Sequence, residues 1–237
     1  MYKGKKVSVV LPTYNEAGSI RKMIDGFFET GLVDEVVVVD NNALGNTREE
    51  VAKTKARLVH EQKQGYGHAI MRGLEKTKSD LIVMCEADGT FLPKDIEKLL
   101  AYSDEFEAVL GTRTSRAAIW SGAFMPFPVR FGNWLWAKVV EVLFNGPVLT
   151  DVGCTYKLVS RELLEEIKKY FYHSRGDGTF SPELMIWLLC RGKKIIEIPV
   201  IYKERVGKSG YTGSVWRAFK LGLKMIPVIV KYRLKKL

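Results

Sequence analysis

The order of apolar and polar positions divides the chain into two halves of different character. In the first, short apolar runs alternate with segments of helical period. Residues 6–12 (KVSVVLP), 35–40 (EVVVVD), 81–85 (LIVMC) and 108–112 (AVLGT) read as strands buried on both faces, and 57–60 as a shorter one. Residues 19–29 read as a helix with Ser19 as its cap and Ile20, Ile24, Phe27 and Phe28 on one face. Helices are also expected at 46–54, at 68–77, entered through Gly65-Tyr66-Gly67, and at 94–102. Repeated β-α units of this length predict a mostly parallel sheet covered by helices.

The second half is less regular. Residues 114–136 are rich in aromatics and proline and carry Arg116 and Arg130 without an acid. A helix follows at 131–144 and breaks at Asn145-Gly146-Pro147. Extended chain is expected at 149–159 and 194–204, helices at 161–170 and 182–191, and a last helix from Trp216 with a kink at Pro227. The expected organisation is one α/β domain over 1–210, split into halves 1–113 and 114–210. A basic amphipathic helix over 211–237 completes it.

Charge sharpens the division. Of a net +10, residues 203–237 hold ten lysines and arginines against the single acid Glu204, so the body is almost neutral and the tail basic. Such a tail suits an anionic partner: a phosphorylated ligand, an acidic membrane surface or nucleic acid. Cys85, Cys154 and Cys190 are odd in number and far apart, which predicts free thiols in a reducing compartment and no disulfide. No apolar window is long enough to span a membrane, and the N-terminus lacks a secretory pattern, so a cytoplasmic protein is expected. The scattered histidines signal no zinc site, which leaves a hard ion held by oxygen.

Three predicted strands end in acid-bearing loops: Pro12 to Glu16, Asp40-Asn41-Asn42, and Glu86-Ala87-Asp88-Gly89. In a parallel sheet these share one edge, where ligands bind. Two carboxylates as close as Glu86 and Asp88 repel unless a cation joins them, so the third loop reads either as a divalent-metal and phosphate station or as a plain acidic turn. Gly65-Tyr66-Gly67 lets backbone approach an anion at a helix N-terminus. The same acidic loops would repel a nucleic acid, and no nucleic-acid motif accompanies the basic tail.

VSVVLPTYNEAGSI, EVVVVDNN, GYGHAIMRGLEKT, LIVMCEADGTFLP and AVLGTR, in this order, resemble the nucleotide-sugar half of glycosyltransferase family 2, which has the GT-A, Rossmann-like fold. TDVGCTYKLVSRELL and IIEIPVIYKERVGKS resemble its polyprenyl-phosphate (dolichyl-phosphate) mannosyl- and glucosyltransferase branch. The resemblance covers about residues 6–210. It implies that Pro12, Tyr14, Glu16 and Asp40 hold the nucleotide, joined by Glu86, Ala87 and Asp88, and that Asp88 binds Mg²⁺ or Mn²⁺ on the diphosphate with Glu86 as a partner. Three positions depart from the family pattern: Glu86 replaces an Asp, Asn41 follows Asp40 where two acids are usual, and Thr90 stands where the lipid-directed enzymes often have Gln.

The implied reaction is metal-dependent, inverting transfer of a hexose from a nucleoside diphosphate sugar. A polyprenyl phosphate acceptor is already anionic near neutral pH and needs cationic clamps rather than a base. Arg113, Arg130, Arg205 and Lys208 are the candidates. A hydroxyl acceptor would instead need a carboxylate base, Asp151 or Glu183, although Asp151 reads equally as a turn cap beside Gly153. The aromatics of 114–136 fit either a surface dipping into headgroups or a flap over the cleft. In the last helix, Arg217, Lys220, Lys224 and Lys231 share one face and Trp216, Phe219, Leu223, Ile226 and Val230 another. That helix fits a peripheral membrane contact on the inner face, docking on its own domain, or both. A non-catalytic nucleotide- or nucleic-acid-binding protein is the remaining alternative.

Overall fold

A computed structural model describes residues 1–171, 178–207 and 214–234. Within these, seven strands form one sheet: β1 (Val7–Thr13), β2 (Glu35–Asp40), β3 (Arg57–His60), β4 (Leu81–Met84), β5 (Ala108–Thr112), β6 (Lys157–Ser160) and β7 (Ile195–Pro199). Their order is β3-β2-β1-β4-β6-β5-β7, and every pairing is parallel except those of β6 with β4 and β5. The helices are α1 (Ile20–Glu29), α2 (Thr47–Ala52), α3 (Tyr66–Lys76), α4 (Ile96–Ala101), α5 (Phe127–Leu143), α6 (Arg161–Phe171), α7 (Phe180–Cys190), α8 (Val215–Leu223) and α9 (Met225–Leu234).

The continuous apolar runs have a direct cause: both sheet faces are covered. Alternate residues of one strand enter opposite cores. Val10, Val37, Val39 and Ile82 pack with α3, α6, α7 and α9, whereas Val9, Leu11, Val36 and Val83 pack with α1 and α4. Cys85 and Cys154 are buried free thiols, and Cys190 is a partly buried one.

Four local expectations change. Ser19 makes no hydrogen bond into α1; its hydroxyl reaches the Ala87 carbonyl at 2.7 Å and lashes the helix start to the loop after β4. Helix α5 begins at Phe127, ahead of the expected 131, because Pro128 sits in its first turn, where a missing N–H leaves no bond unmade. Of the extended chain expected at 149–159, only Lys157–Ser160 is strand, since the preceding residues form an irregular loop. The C-terminal segment is two helices divided at Lys224, and Pro227 falls in the first turn of α9 instead of kinking a longer one.

Candidate active site

Parallel pairing brings the ends of β1, β2 and β4 to one sheet edge. Thr13 lies beside Asp40, and Val10 beside Met84, in register. Each strand end carries a carboxylate already engaged by its own loop. Glu16 Oε2 accepts from the Thr13 hydroxyl at 2.9 Å and from the backbone N–H groups of Tyr14 at 2.7 Å and Asn15 at 2.9 Å. Tyr14 itself is exposed beside it. Asp40 is buried; its Oδ1 accepts from the Ala43 N–H at 2.6 Å, and its Oδ2 from Arg48 Nε at 2.5 Å, with His60 Nδ1 at 3.3 Å.

Asn41 explains one departure from the family pattern. Its amide donates to the carbonyls of Glu61 at 3.0 Å and Lys63 at 2.7 Å, while its oxygen accepts from the Gly65 N–H at 2.7 Å. A carboxylate there could accept but not donate, so it would release the loop that leads into α3. Thr90 explains another. Its N–H, at 2.9 Å, and its hydroxyl, at 2.6 Å, both donate to Asp88 Oδ1 and fix that carboxylate from behind.

Asp88 is 2% exposed. Its outer oxygen, Oδ2, lies 2.7 Å from Arg205 Nη1 but receives no directed hydrogen bond, so a hard cation taking that oxygen would displace a charge contact and no hydrogen bond. Among the described residues no three His, Cys, Asp or Glu side chains converge as a complete metal shell. One or two carboxylates completed by water and substrate phosphates is the usual arrangement for Mg²⁺, and Asp88 fits it. Glu86 stands beside it; burial, with Asp88's charge and hydrogen bond adding, pushes its carboxyl up to about 8, against the weaker pull of Arg205 and Arg113.

Glu86 opens onto a cleft of about 750 Å³ whose lining also includes Tyr66, Arg113, Asn133, Thr155 and Arg205. Arg113 is held rigidly. Its N–H and Nε donate to Asp151 Oδ2 at 2.9 and 2.8 Å, its Nη2 to Oδ1 at 3.0 Å, and the guanidinium lies 5.2 Å from the Tyr202 ring centre. Asp151 is wholly buried and also accepts from the Gly153 N–H, so the turn-cap reading and an arginine-orienting role hold together. Burial alone would raise its pKa, but the charge and hydrogen bonds of Arg113 outweigh that and hold it below the usual carboxylate range. A Cβ on Gly153 would stand 2.8 Å from Asn133 Oδ1 and 3.0 Å from Arg113 Nη2, so a side chain here would shift the end of Asn133 or Arg113.

Other expected residues fall elsewhere. Glu183 is turned away from the cleft, accepting from Lys231 at 3.0 Å and the Tyr232 hydroxyl at 3.1 Å. Arg130 lines a separate cleft of about 350 Å³, with the hydroxyls of Thr112, Thr114 and Thr150, and does not join Arg113 and Arg205. Lys208 lies outside the described residues. Sequence reasoning missed Tyr66, Thr155 and Asn133. Only the position of Tyr66 between two glycines offered a signal, because the others depend on how α5 and the 151–155 loop meet.

A mostly parallel sheet with a carboxylate-bearing edge, beside a cleft lined by Arg113 and Arg205, is the GT-A architecture of a glycosyltransferase. Residues 8–168 match the model of Glycosyl transferase family 2, and the chain belongs to that family and is a glycosyltransferase. It is 29% identical over 97% of its length, and 96% of the relative's, to the dolichyl-phosphate hexose transferase of Haloferax volcanii. It is also 30% identical to the undecaprenyl-phosphate 4-deoxy-4-formamido-L-arabinose transferase of Enterobacter sp., covering 87% of this chain and 63% of that one. Among solved structures, glucosyl-3-phosphoglycerate synthase from Mycobacterium tuberculosis with Mn²⁺, UDP and glucosyl-3-phosphoglycerate shares the fold. Its TM-score is 0.72 at 20% identity, over 97% of this chain and 80% of that one. The same enzyme with Mg²⁺ and UDP gives 0.69.

Proposed function

We propose that the protein transfers a hexose, with inversion, from a nucleoside diphosphate sugar to the phosphate of a polyprenyl lipid at the inner face of a membrane. The observation that carries this reading is the locked Arg113–Asp151 pair. The residue that could have served as a base for a hydroxyl acceptor is spent orienting a cation, and Glu183 is tied to Lys231 and Tyr232. Two relatives named for dolichyl-phosphate and undecaprenyl-phosphate transfer support the same acceptor class.

In this reading Pro12, Tyr14, Glu16 and Asp40 frame the nucleotide, and Ala87, through its bond from Ser19, holds the loop that bears Asp88. An ionised phosphate oxygen attacks the anomeric carbon while the bond from that carbon to the diphosphate oxygen breaks. No proton is removed from the acceptor, and a single displacement inverts the centre. Arg113 holds acceptor phosphate in line, and Arg205 faces the charge growing on the leaving diphosphate. Asp88, with Glu86 as partner, would hold Mg²⁺ or Mn²⁺, which would supply charge neutralisation to that leaving group. Arg130 and Lys208 are secondary candidates for the acceptor side.

Exposed apolar side chains support the membrane location. Phe127 (67%) on α5, and Trp216 (64%) and Phe219 (54%) on α8, project outward, with Arg130 and Lys220 over two of the rings. Such a surface of aromatics with cations suits anionic headgroups.

The test is incubation of the protein with Mg²⁺ or Mn²⁺, a polyprenyl phosphate and a panel of nucleotide sugars, following sugar into the lipid phase. Metal-dependent transfer from one donor is expected. Glu204, exposed and lining the cleft, is the carboxylate a hydroxyl acceptor would use in place of Asp151. Glu204→Gln should therefore retain transfer, whereas a collapse of kcat with binding intact would favour the hydroxyl reading.

A further inference from the structure

The cleft contains two arginine–carboxylate contacts of opposite character. Arg113 grips Asp151 through three directed hydrogen bonds. Arg205 instead bridges two separate carboxylates. Its Nη1 lies 2.7 Å from Asp88 Oδ2 and its Nη2 donates to Glu16 Oε1 at 3.0 Å. The contact with Asp88 lacks hydrogen-bond direction, and Arg205 Nε is buried without a partner. Arg205 therefore sits on the one oxygen of each carboxylate that its own loop leaves over, because Asp88 Oδ1 is held by Thr90 and Glu16 Oε2 by Thr13, Tyr14 and Asn15.

We propose that Arg205 is the resident counter-cation of the Asp88 site in the resting enzyme and exchanges with the divalent ion when donor binds, which turns its guanidinium toward the diphosphate. This rests on the metal-dependent reading above. Asp88 and Glu16 would repel without a positive charge between them, and the Arg205 guanidinium supplies it. A divalent ion needs Asp88 Oδ2, the atom Arg205 covers, so the two compete. The exchange requires only a side-chain movement. The backbone on either side stays anchored, through the Val206 N–H to the Asp88 carbonyl and the Lys203 N–H to the Thr90 carbonyl, both at 2.9 Å. The freed guanidinium thus remains over the metal loop, beside the charge that donor brings.

The signature is a reversal of sign. In Mn²⁺ titrations of the full chain followed by electron paramagnetic resonance, Arg205→Gln should bind the ion about tenfold more tightly than wild type without nucleotide, the scale of one charge-assisted contact. With saturating UDP or GDP the order should invert, since the variant lacks the group that meets the diphosphate. Arg205→Lys keeps a charge but cannot span both carboxylates. It should shift in the same direction by less, and it reports in place of glutamine if that variant fails to fold. Equal or weaker Mn²⁺ binding by the folded variants without nucleotide would overturn the exchange alone. No Mn²⁺ binding by any of the proteins, even with UDP or GDP, would overturn the metal-dependent reading and the exchange with it.

Discussion

At the scale of single residues, the Arg113–Asp151 pair couples stability to the site. Breaking a buried pair from one side strands the other charge, at a cost of about 3–5 kcal/mol, whereas replacing both partners with apolar groups can be nearly neutral. Arg113→Ala should accordingly lose about that much in urea unfolding, while Arg113→Met with Asp151→Leu recovers most of it and stays inactive in transfer. A double variant no more stable than the single one would show that the pair is not an isolated unit. The pH dependence follows from the depressed carboxyl of Asp151. Its contribution is fully present above the ordinary aspartate value of about 3.9 and is lost as pH falls through the lower folded value. Wild type should therefore lose this stabilisation only in strong acid, and the double variant should not show that loss.

The residue types of this site were visible in the sequence, but their couplings were not. Asp88, Glu86, Asp40 and Glu16 stand out as acids at strand ends. That Thr90 clamps Asp88, or that Asn41 must donate as well as accept, follows from side-chain hydrogen bonds that leave no period in the chain. Asp151 offered two readings, base or cap, and its ion pair with Arg113, 38 residues away, left no mark in the sequence.

At the scale of elements, strands β1, β2, β4 and β5 were legible because burial on both faces writes itself as an unbroken apolar run. The loop ahead of β6 was not, because remote carboxylates shape it. Glu197 of β7 accepts from the Thr150 N–H and hydroxyl, both at 2.6 Å, and from the Asp151 N–H at 2.9 Å. Such a loop has neither helical nor strand periodicity. The placement of α3 depends on Gly73, where a Cβ would stand 2.3 Å from Val10 Cγ1 and 2.9 Å from Val39 Cγ2. Gly73→Ala must push α3 off the sheet, at about 1–3 kcal/mol in thermal or urea unfolding. Because α3 begins at Tyr66 and carries the glycine loop with it, the KM for nucleotide sugar should rise more than kcat falls. A change in stability with unaltered KM would detach that loop from donor binding.

At the scale of the whole molecule, the amphipathic tail resolves into an inward and an outward face. Met225, Val228, Ile229 and Tyr232 bury α9 against α7, with Lys231 and Tyr232 fixing its rotation through Glu183. The side chains expected to form one apolar stripe, Trp216, Phe219, Leu223, Ile226 and Val230, are all exposed. Helix α8 lies beside α5, with Gly222 against the Trp136 ring, so α8's apolar positions and the exposed Phe127, Phe131 and Trp134 belong to neighbouring helices. Among the described residues no helix is long and apolar enough to cross a membrane. The cationic neighbours of these exposed side chains make binding to anionic vesicles the natural measurement, and it should weaken as added salt shortens the screening length. Trp216→Glu combined with Ile226→Glu should abolish co-sedimentation with such vesicles. The same variant should keep transfer to a short, water-soluble prenyl phosphate within about twofold, since neither side chain enters the Arg113–Asp88 chemistry and exposed substitutions seldom disturb a fold. Loss of both together would make the stripe part of the catalytic domain's own packing, whereas loss of vesicle binding alone would assign it to the bilayer that presents the acceptor.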